Sequence, residues 1–144
     1  MICYALLRVR GPMMKPELLE RFDRLLAEVL AELPQGIRDR LEESPLIADD
    51  RPSSEMMDEL GARNPFSLCG LYTGIPLTKR SVEHSGTLPD RIFIFREGIV
   101  AAARSRHGRL ADAALKRQIR ITVLHEIGHH FGLGEADLRK LGYE

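Results

Sequence analysis

The residues best suited to chemistry lie near the C-terminus, in the segment HEIGHHFGLGE at positions 125–135. His125 and His129 are four positions apart, so on a helix they are about 40° apart around the axis and one turn apart along it. Both imidazoles can therefore reach one metal ion from the same helix face. Glu126 is about 100° from His125, where its carboxylate can contact a water on that ion without ligating it. The spacing predicts a metal-hydrolase site with two nitrogen ligands and a separate base.

The residues after the second histidine favour a third ligand. Gly132 and Gly134 permit the left-handed backbone conformation that ends a helix and reverses the chain. Such a turn can return Glu135 or Asp137 to the two imidazoles, and both carboxylates are candidates. The alternative is an ordinary helix with surface histidines, and the glycines argue against it.

The predicted chemistry is hydrolysis. Three protein ligands leave the fourth position of zinc for a water, whose pKa falls toward about 7. Glu126 would act as general base on this metal-activated water and then carry the proton to the leaving amine. Another divalent metal, such as iron or manganese, also suits two imidazoles and a carboxylate. A further donor could stabilise the oxyanion, and the candidates are Tyr72, Tyr143, His130 and His107. His130 is about 140° from His125 on the helix, so it should face away from the metal.

Length and composition indicate one globular domain. The chain has 144 residues, of which 44% are hydrophobic and 29% charged, enough for one sizeable core. Residues 1–15 are predicted to be a poorly ordered N-terminal extension, and residues 16–144 a single domain. The apolar runs are too short to cross a membrane, and no basic segment precedes the run Ile2–Leu7 as in a signal peptide. With Cys3 and Cys69 interpreted as reduced thiols, we expect a cytoplasmic protein.

Local patterns predict the elements that must position the site. Pro16 suits the first turn of a helix, and the apolar residues from Leu18 to Leu33 repeat with a helical period. A long helix from Leu110 to about Phe131 would carry the two histidines. The segment Arg91–Arg96 is apolar on both faces at its centre, as expected for a strand covered by helices. Further strands are predicted at 46–49 and 68–73, further helices at 37–43, near Glu55 and at 136–141, and a loop at 78–90.

Three stretches together resemble a known family. HEIGHHFGLGEADL, preceded by LPDRIFIFREGI and GLYTGIPLTKRS, is similar to the small bacterial zincin-like metallopeptidases, sometimes called minimal zincins, from about Pro16 to the end. The resemblance implies an α+β fold in which a few-stranded sheet packs against helices, including the metal-binding helix. It also implies a zinc site of the type His-Glu-x-x-His-x-x-Gly-x-x-Asp. Glu135 occupies the final aspartate position and becomes the implied third ligand, with Asp137 as the fallback.

The favoured function is therefore a zinc-dependent peptidase that acts on peptide or protein substrates, without a membrane partner. The alternative is a catalytically silent zincin scaffold that acts as a binding or regulatory module. An extended substrate is expected to add to a sheet edge, at strand 68–73 or 91–96. A nucleic-acid partner is not expected, because the basic cluster before the histidines fits a solvated helix face more simply. That cluster comprises Arg104, Arg106, Arg109, Lys116, Arg117 and Arg120.

Overall fold

Helices surround a small mixed sheet in the computed structural model, which describes residues 14–74 and 90–141. Within these ranges the predicted α+β class is confirmed, whereas most of the predicted loop 78–90 lies outside them, as does Tyr143. The first half of the chain contains α1 (Pro16–Glu32), α2 (Gln35–Glu43), β1 (Leu46–Asp49), α3 (Ser54–Leu60), a 3-10 turn (Pro65–Ser67) and β2 (Gly70–Thr73). The second half contains β3 (Arg91–Phe95), α4 (Arg96–Ala103), α5 (Asp112–His130) and α6 (Glu135–Leu141).

The sheet formed by the described strands has the order β1-β3-β2, with β3 at its centre. β1 runs parallel to β3, and its Leu46 pairs with Ile92 of β3. β2 runs antiparallel to β3 on the other side, and its Tyr72 also pairs with Ile92. Ile92 to Phe95 are all buried. This agrees with the interior strand that was predicted from apolar residues on both of its faces. Among the described strands, β2 therefore lies at an edge of the sheet, and α5 packs against β2 and β3.

The hydrophobic core lies between the sheet, α1 and α5. The helical period predicted for α1 is confirmed, because its apolar stripe is buried from Phe22 to Leu30. α5 contributes buried residues four positions apart on one face, beginning with Leu115 and Ile119. Met14, predicted to belong to the N-terminal extension, is also buried against this core. In the described parts of the chain, no helix combines the length and the apolar character that a membrane crossing requires.

The region after β3 differs from the prediction. The strand was expected to continue to Arg96, and no helix was predicted between this strand and Leu110, but the chain turns directly into α4. Gly98 allows α4 to approach the 3-10 turn closely, since a Cβ at Gly98 would lie 2.0 Å from the carbonyl oxygen of Leu68. Arg96 is buried and forms ion pairs with Asp23 at 3.1 Å and Asp50 at 3.2 Å. Tertiary contacts thus stabilise a helix that local propensity does not indicate.

Candidate metal centre

The turn after α5 has the geometry that its glycines predicted. Gly132 has a φ of +86°, in the left-handed region. The Leu133 N–H donates to the Gly128 carbonyl at 3.0 Å, and the Gly132 N–H donates to the His129 carbonyl at 2.9 Å. These are the two hydrogen bonds of a Schellman motif, which ends the helix and reverses the chain. The reversal starts α6 at Glu135, beside the histidine face of α5.

Three potential ligand atoms converge at this turn. The Nε2 atoms of His125 and His129 are 3.1 Å apart. The Oε1 atom of Glu135 lies 3.1 Å from Nε2 of His129 and 3.5 Å from Nε2 of His125. Ligand atoms at zinc bond lengths from the centre of a tetrahedron are about 3.3 Å apart. The three separations therefore fit the edges of a zinc-sized coordination tetrahedron.

The two candidate carboxylates have different surroundings. Asp137 does not belong to the converging group; its Oδ2 accepts a hydrogen bond from the Gly134 N–H at 3.2 Å. The carboxylate of Asp137 thus closes the start of α6, while Glu135 at the first position of α6 points at the imidazoles. The geometry favours Glu135 over Asp137 as the third ligand.

A neighbouring carbonyl orients one of the imidazoles. Nδ1 of His129 lies 3.1 Å from the Leu133 carbonyl oxygen. A proton on Nδ1 would donate to that oxygen and leave Nε2 unprotonated, in the form that binds a metal ion. The same glycine turn that returns Glu135 therefore also supplies the oxygen that fixes the ring of His129.

Glu126 is buried behind the three converging atoms, with only 6% of its surface exposed. Burial raises the pKa of Glu126 to about 7; the charge of His125 lowers it, and that of Glu135 raises it. The backbone N–H of Tyr72 donates a hydrogen bond to the Glu126 carboxylate. β2 therefore holds this carboxylate from the side of the sheet.

The ladder between β2 and β3 explains why the Tyr72 N–H is directed at Glu126. The Phe95 N–H donates to the Cys69 carbonyl at 2.8 Å, which makes that residue pair a hydrogen-bonded one. Hydrogen-bonded and non-hydrogen-bonded pairs alternate along an antiparallel ladder. Tyr72, paired with Ile92 three positions further along, is at a non-hydrogen-bonded position. Its N–H consequently points away from β3.

Gly70 is a site residue that the sequence analysis did not single out. A Cβ at this position would lie 2.9 Å from Cγ of Glu126, 2.9 Å from the Phe93 carbonyl oxygen and 3.0 Å from Cγ2 of Thr122. Because no side chain fits there, β2 can approach α5 closely enough to contact Glu126. The available signal was a glycine within a predicted strand, which often marks such a close approach.

A cleft of about 540 Å³ opens over the site. Among its described lining residues, the charged or imidazole side chains belong to His125, Glu126, His129 and Glu135. The remaining lining residues are aliphatic, aromatic or glycine: Leu68, Gly70, Leu71, Tyr72, Gly74, Gly132, Leu133 and Gly134. The cleft thus surrounds a polar centre with a largely apolar wall.

The other predicted donors differ in their placement. His130 is 2% exposed, and its Nδ1 lies 3.2 Å from Oδ2 of Asp90, so it packs away from the converging atoms as the helix geometry predicted. Tyr72 lines the cleft and donates its hydroxyl hydrogen to Oδ1 of Asp90 at 3.0 Å. His107 is exposed in the loop between α4 and α5. In the basic cluster, Lys116 pairs with two glutamates of α1, which agrees with a solvated helix face.

Fold and site together define a class of protein: a small zincin, in which a helix with two histidines and a glutamate lies beside an edge strand. A family model described as zincin-like metallopeptidase matches residues 41–143, which is well over half of the chain. The chain therefore belongs to the zincin-like metallopeptidase family, as its sequence motifs indicated. The match begins inside α2 and includes the sheet, α5 and the glycine turn. A comparison with curated proteins gives no match.

Proposed function

We propose that this protein is a zinc-dependent metallopeptidase that hydrolyses peptide bonds in peptide or protein substrates. One observation carries the proposal. Ligand atoms of His125, His129 and Glu135 lie within 4.8 Å of one another, beside the buried carboxylate of Glu126 and under an open cleft. Membership of a zincin-like metallopeptidase family supports peptidase activity at the family level.

His125, His129 and Glu135 would hold the ion in this proposal, and the hydrogen bond that Asp137 accepts from Gly134 argues against the fallback ligand. When bound, zinc would supply a Lewis acid that acidifies a water molecule and polarises the carbonyl group of the substrate. The same donor set suits other divalent metals, so elemental analysis is needed to identify the native ion.

Glu126 would move the protons of the reaction. Its carboxylate takes a proton from the attacking water and later gives it to the leaving nitrogen. A group that both accepts and donates at neutral pH works best with a pKa near the working pH. Burial raises the pKa of Glu126 to about 7 in the metal-free protein, and a cation bound beside it would lower this pKa. The Tyr72 N–H would keep the carboxylate in one orientation while these transfers occur.

Substrate binding would use β2 and the wall of the cleft. The outward-facing backbone groups of Gly70 share the orientation of the Tyr72 N–H, so an extended peptide can pair along this edge. Leu68, Leu71 and Leu133 line the same cleft. We expect substrates with apolar side chains near the cleaved bond, because burying a charged side chain against this wall would be unfavourable.

The test combines metal analysis with an activity assay. Protein purified without added metal is analysed for bound elements, and hydrolysis of unstructured fluorogenic peptides is measured for the wild type and Glu126→Gln in zinc. We expect stoichiometric zinc in both proteins and a loss of activity of about 10²- to 10⁴-fold in the variant. Glu28→Gln, which changes an exposed glutamate of α1, serves as the matched control and should retain full activity.

Two results would contradict the proposal. Equal cleavage by the wild type and Glu126→Gln would show that a contaminant or another site is responsible. Stoichiometric zinc without cleavage of any peptide in a broad library would favour the silent scaffold that acts as a binding or regulatory module.

A further inference from the structure

A buried polar cluster lies at the end of β2, next to the proposed metal centre. Asp90 joins two partners: its Oδ1 accepts the hydrogen bond from the Tyr72 hydroxyl at 3.0 Å, and its Oδ2 lies 3.2 Å from Nδ1 of His130. The side chains of Asp90 and His130 are 9% and 3% exposed. Removing a carboxylate and an imidazole from water is costly unless partners compensate, so this arrangement requires an explanation. We call these three residues the Asp90 cluster.

The Asp90 cluster extends the contact between β2 and one face of α5. Thr122, Glu126 and His130 are four positions apart and therefore share a helix face. Gly70 lies against the first two of them, and the ring of Tyr72, two positions along β2, meets that of His130 with centroids 5.7 Å apart. Gly70 and Tyr72, which are alternate residues of β2, thus face successive turns of α5. Glu126 lies on the turn between Thr122 and His130.

Gly74 permits the close approach of Asp90 to the strand. A Cβ at Gly74 would lie 2.1 Å from Oδ1 of Asp90 and 3.0 Å from the Tyr72 hydroxyl oxygen. Gly74 also has a φ of +141°, which L side chains rarely adopt. Both its conformation and its lack of a side chain therefore serve the contact between Asp90 and Tyr72.

We propose that Asp90 is a positioning residue for the base Glu126 and acts through Tyr72. The carboxylate of Asp90 fixes the Tyr72 side chain, and the N–H of the same tyrosine donates to the Glu126 carboxylate. This inference rests on the proposed peptidase function, in which the orientation of Glu126 determines the rate. Small displacements of a catalytic group reduce rates strongly, so a fixed tyrosine would contribute to kcat through the orientation of Glu126.

A positioning role of Asp90 and a purely structural role lead to different kinetic effects in the variants. If Asp90 only stabilised the fold, its loss would lower the melting temperature, while the molecules that remain folded would keep their kcat. If it acts through Tyr72, removal of the tyrosine hydroxyl alone should lower kcat. Zinc affinity should stay the same, because neither Tyr72 nor Asp90 belongs to the group of potential ligands.

The first test is a double-mutant cycle in the full chain. We expect Tyr72→Phe to lower kcat roughly fivefold, the effect of one lost hydrogen bond, with zinc affinity within about twofold. Asp90→Ala should lower kcat at least as much, and the double variant should match Asp90→Ala, since the two residues act in one pathway. Asp90→Asn keeps an oxygen that can accept from the tyrosine and should retain most of kcat. The control is Asp112→Asn, at an exposed carboxylate paired with Arg21 and Arg24.

The second test does not depend on activity. Amide hydrogen exchange of the β2 segment is followed in the zinc-free protein. We expect the Tyr72 amide to exchange several-fold faster in Tyr72→Phe and Asp90→Ala, and at the wild-type rate in Asp90→Asn and Asp112→Asn.

Specific outcomes overturn the inference. Unchanged kcat and unchanged exchange in Tyr72→Phe would exclude it, and so would additive effects in the double variant. If Asp90→Ala does not fold, Tyr72→Phe, which removes one oxygen atom, decides the question. If the wild type cleaves no peptide, the proposed function fails by itself, and the exchange rates alone then determine whether Asp90 holds Tyr72 against Glu126.

Discussion

The two halves of α5 are held in place by different kinds of contact. In the first half, residues 112–121, Leu115 and Ile119 are fully buried in the apolar core shared with α1. At the rim of this interface, Lys116 lies 2.7 Å from Glu32, and Asp112 pairs with Arg21 and Arg24. Apolar contacts have no preferred direction, and exposed ion pairs contribute little. The packing of this half therefore depends on the volume of its buried side chains rather than on their exact orientation.

In the second half, residues 122–130, directional polar contacts are added to the apolar packing of Val123, Leu124 and Ile127. Glu126 is buried with the Tyr72 N–H on its carboxylate, and His130 lies against Asp90. His129 has the Leu133 carbonyl at its Nδ1. These three polar groups each lie against a particular neighbour, so a substitution of that neighbour would change the geometry of the site. Along this helix, the contacts that orient the candidate site lie in the second half, whereas the apolar contacts that stabilise the fold run through both halves.

The strongest test of this separation is a cavity in the first half. Ile119→Ala removes a fully buried side chain and should lower the free energy of unfolding by about 2–5 kcal/mol. Zinc affinity of the folded protein should remain within about threefold, because the converging atoms lie beyond residue 122. Denaturant unfolding and a zinc titration at low temperature would measure both quantities. A large loss of zinc affinity in folded Ile119→Ala would show that the packing of the first half also determines the geometry of the site.

The next largest effect concerns the third ligand. Glu135→Ala should weaken zinc binding at least about 100-fold, the upper range for loss of a supporting residue around a metal. Asp137→Ala should weaken it less than about threefold, since this carboxylate contacts the Gly134 N–H instead. Competition with a chelating dye measures both constants. The opposite ranking would assign the ligand to Asp137 and contradict the geometry of the turn.

A smaller effect is expected where β2 meets the second half of α5. Gly70→Ala places a Cβ 2.9 Å from Glu126 and should cost about 1–3 kcal/mol of stability through overpacking. It should also lower peptide hydrolysis, because the strand must move away from the base. Gly36→Ala is the control, since nothing lies within 4 Å of a Cβ there. Thermal unfolding of both variants, with the same peptide assay, would show whether Gly70 is specifically required.

The smallest effect concerns a thiol beside the base. Burial raises the pKa of the Cys69 thiol, the charge of Glu126 raises it further, and a hydrogen bond with Thr122 lowers it. A raised pKa leaves less thiolate at a given pH, so iodoacetamide should modify Cys69 several-fold more slowly than free cysteine near pH 8. A Cys3→Ser background isolates this thiol for mass spectrometry. Glu126→Gln should accelerate the reaction, and an unchanged rate would show that the two groups do not interact.

Local sequence patterns predicted the elements whose residues carry their own periodicity. The stripe of α1, the apolar strand β3 and the histidine spacing on α5 all depend on neighbours within a few turns. α4 was missed because Gly98 and the β-branched residues Ile99 and Val100 weaken a helical signal. Its stability depends instead on distant contacts, such as those of Arg96 with Asp23 and Asp50.

The same distinction applies to the candidate site. The two histidines, the base and the candidate carboxylates lie within one short segment, so their spacing could be interpreted directly. Gly70, Tyr72 and Asp90 reach that segment only through the packing of β2 and β3 on α5. No spacing rule connects residues that are so far apart along the chain, so their contacts with this segment were not predictable, although Tyr72 was among the candidate donors and Gly70 lay in a predicted strand.

As the proposed third ligand, Glu135 would couple metal uptake to order at the C-terminal end of the described chain. Its side chain is 67% exposed and belongs to α6, a helix of seven residues. A helix of this length is only marginally stable in isolation. Part of the free energy of cation capture would therefore offset the entropy of immobilising α6, and measured affinities would report on both processes. Chelation should consequently loosen this helix before it affects the hydrophobic core.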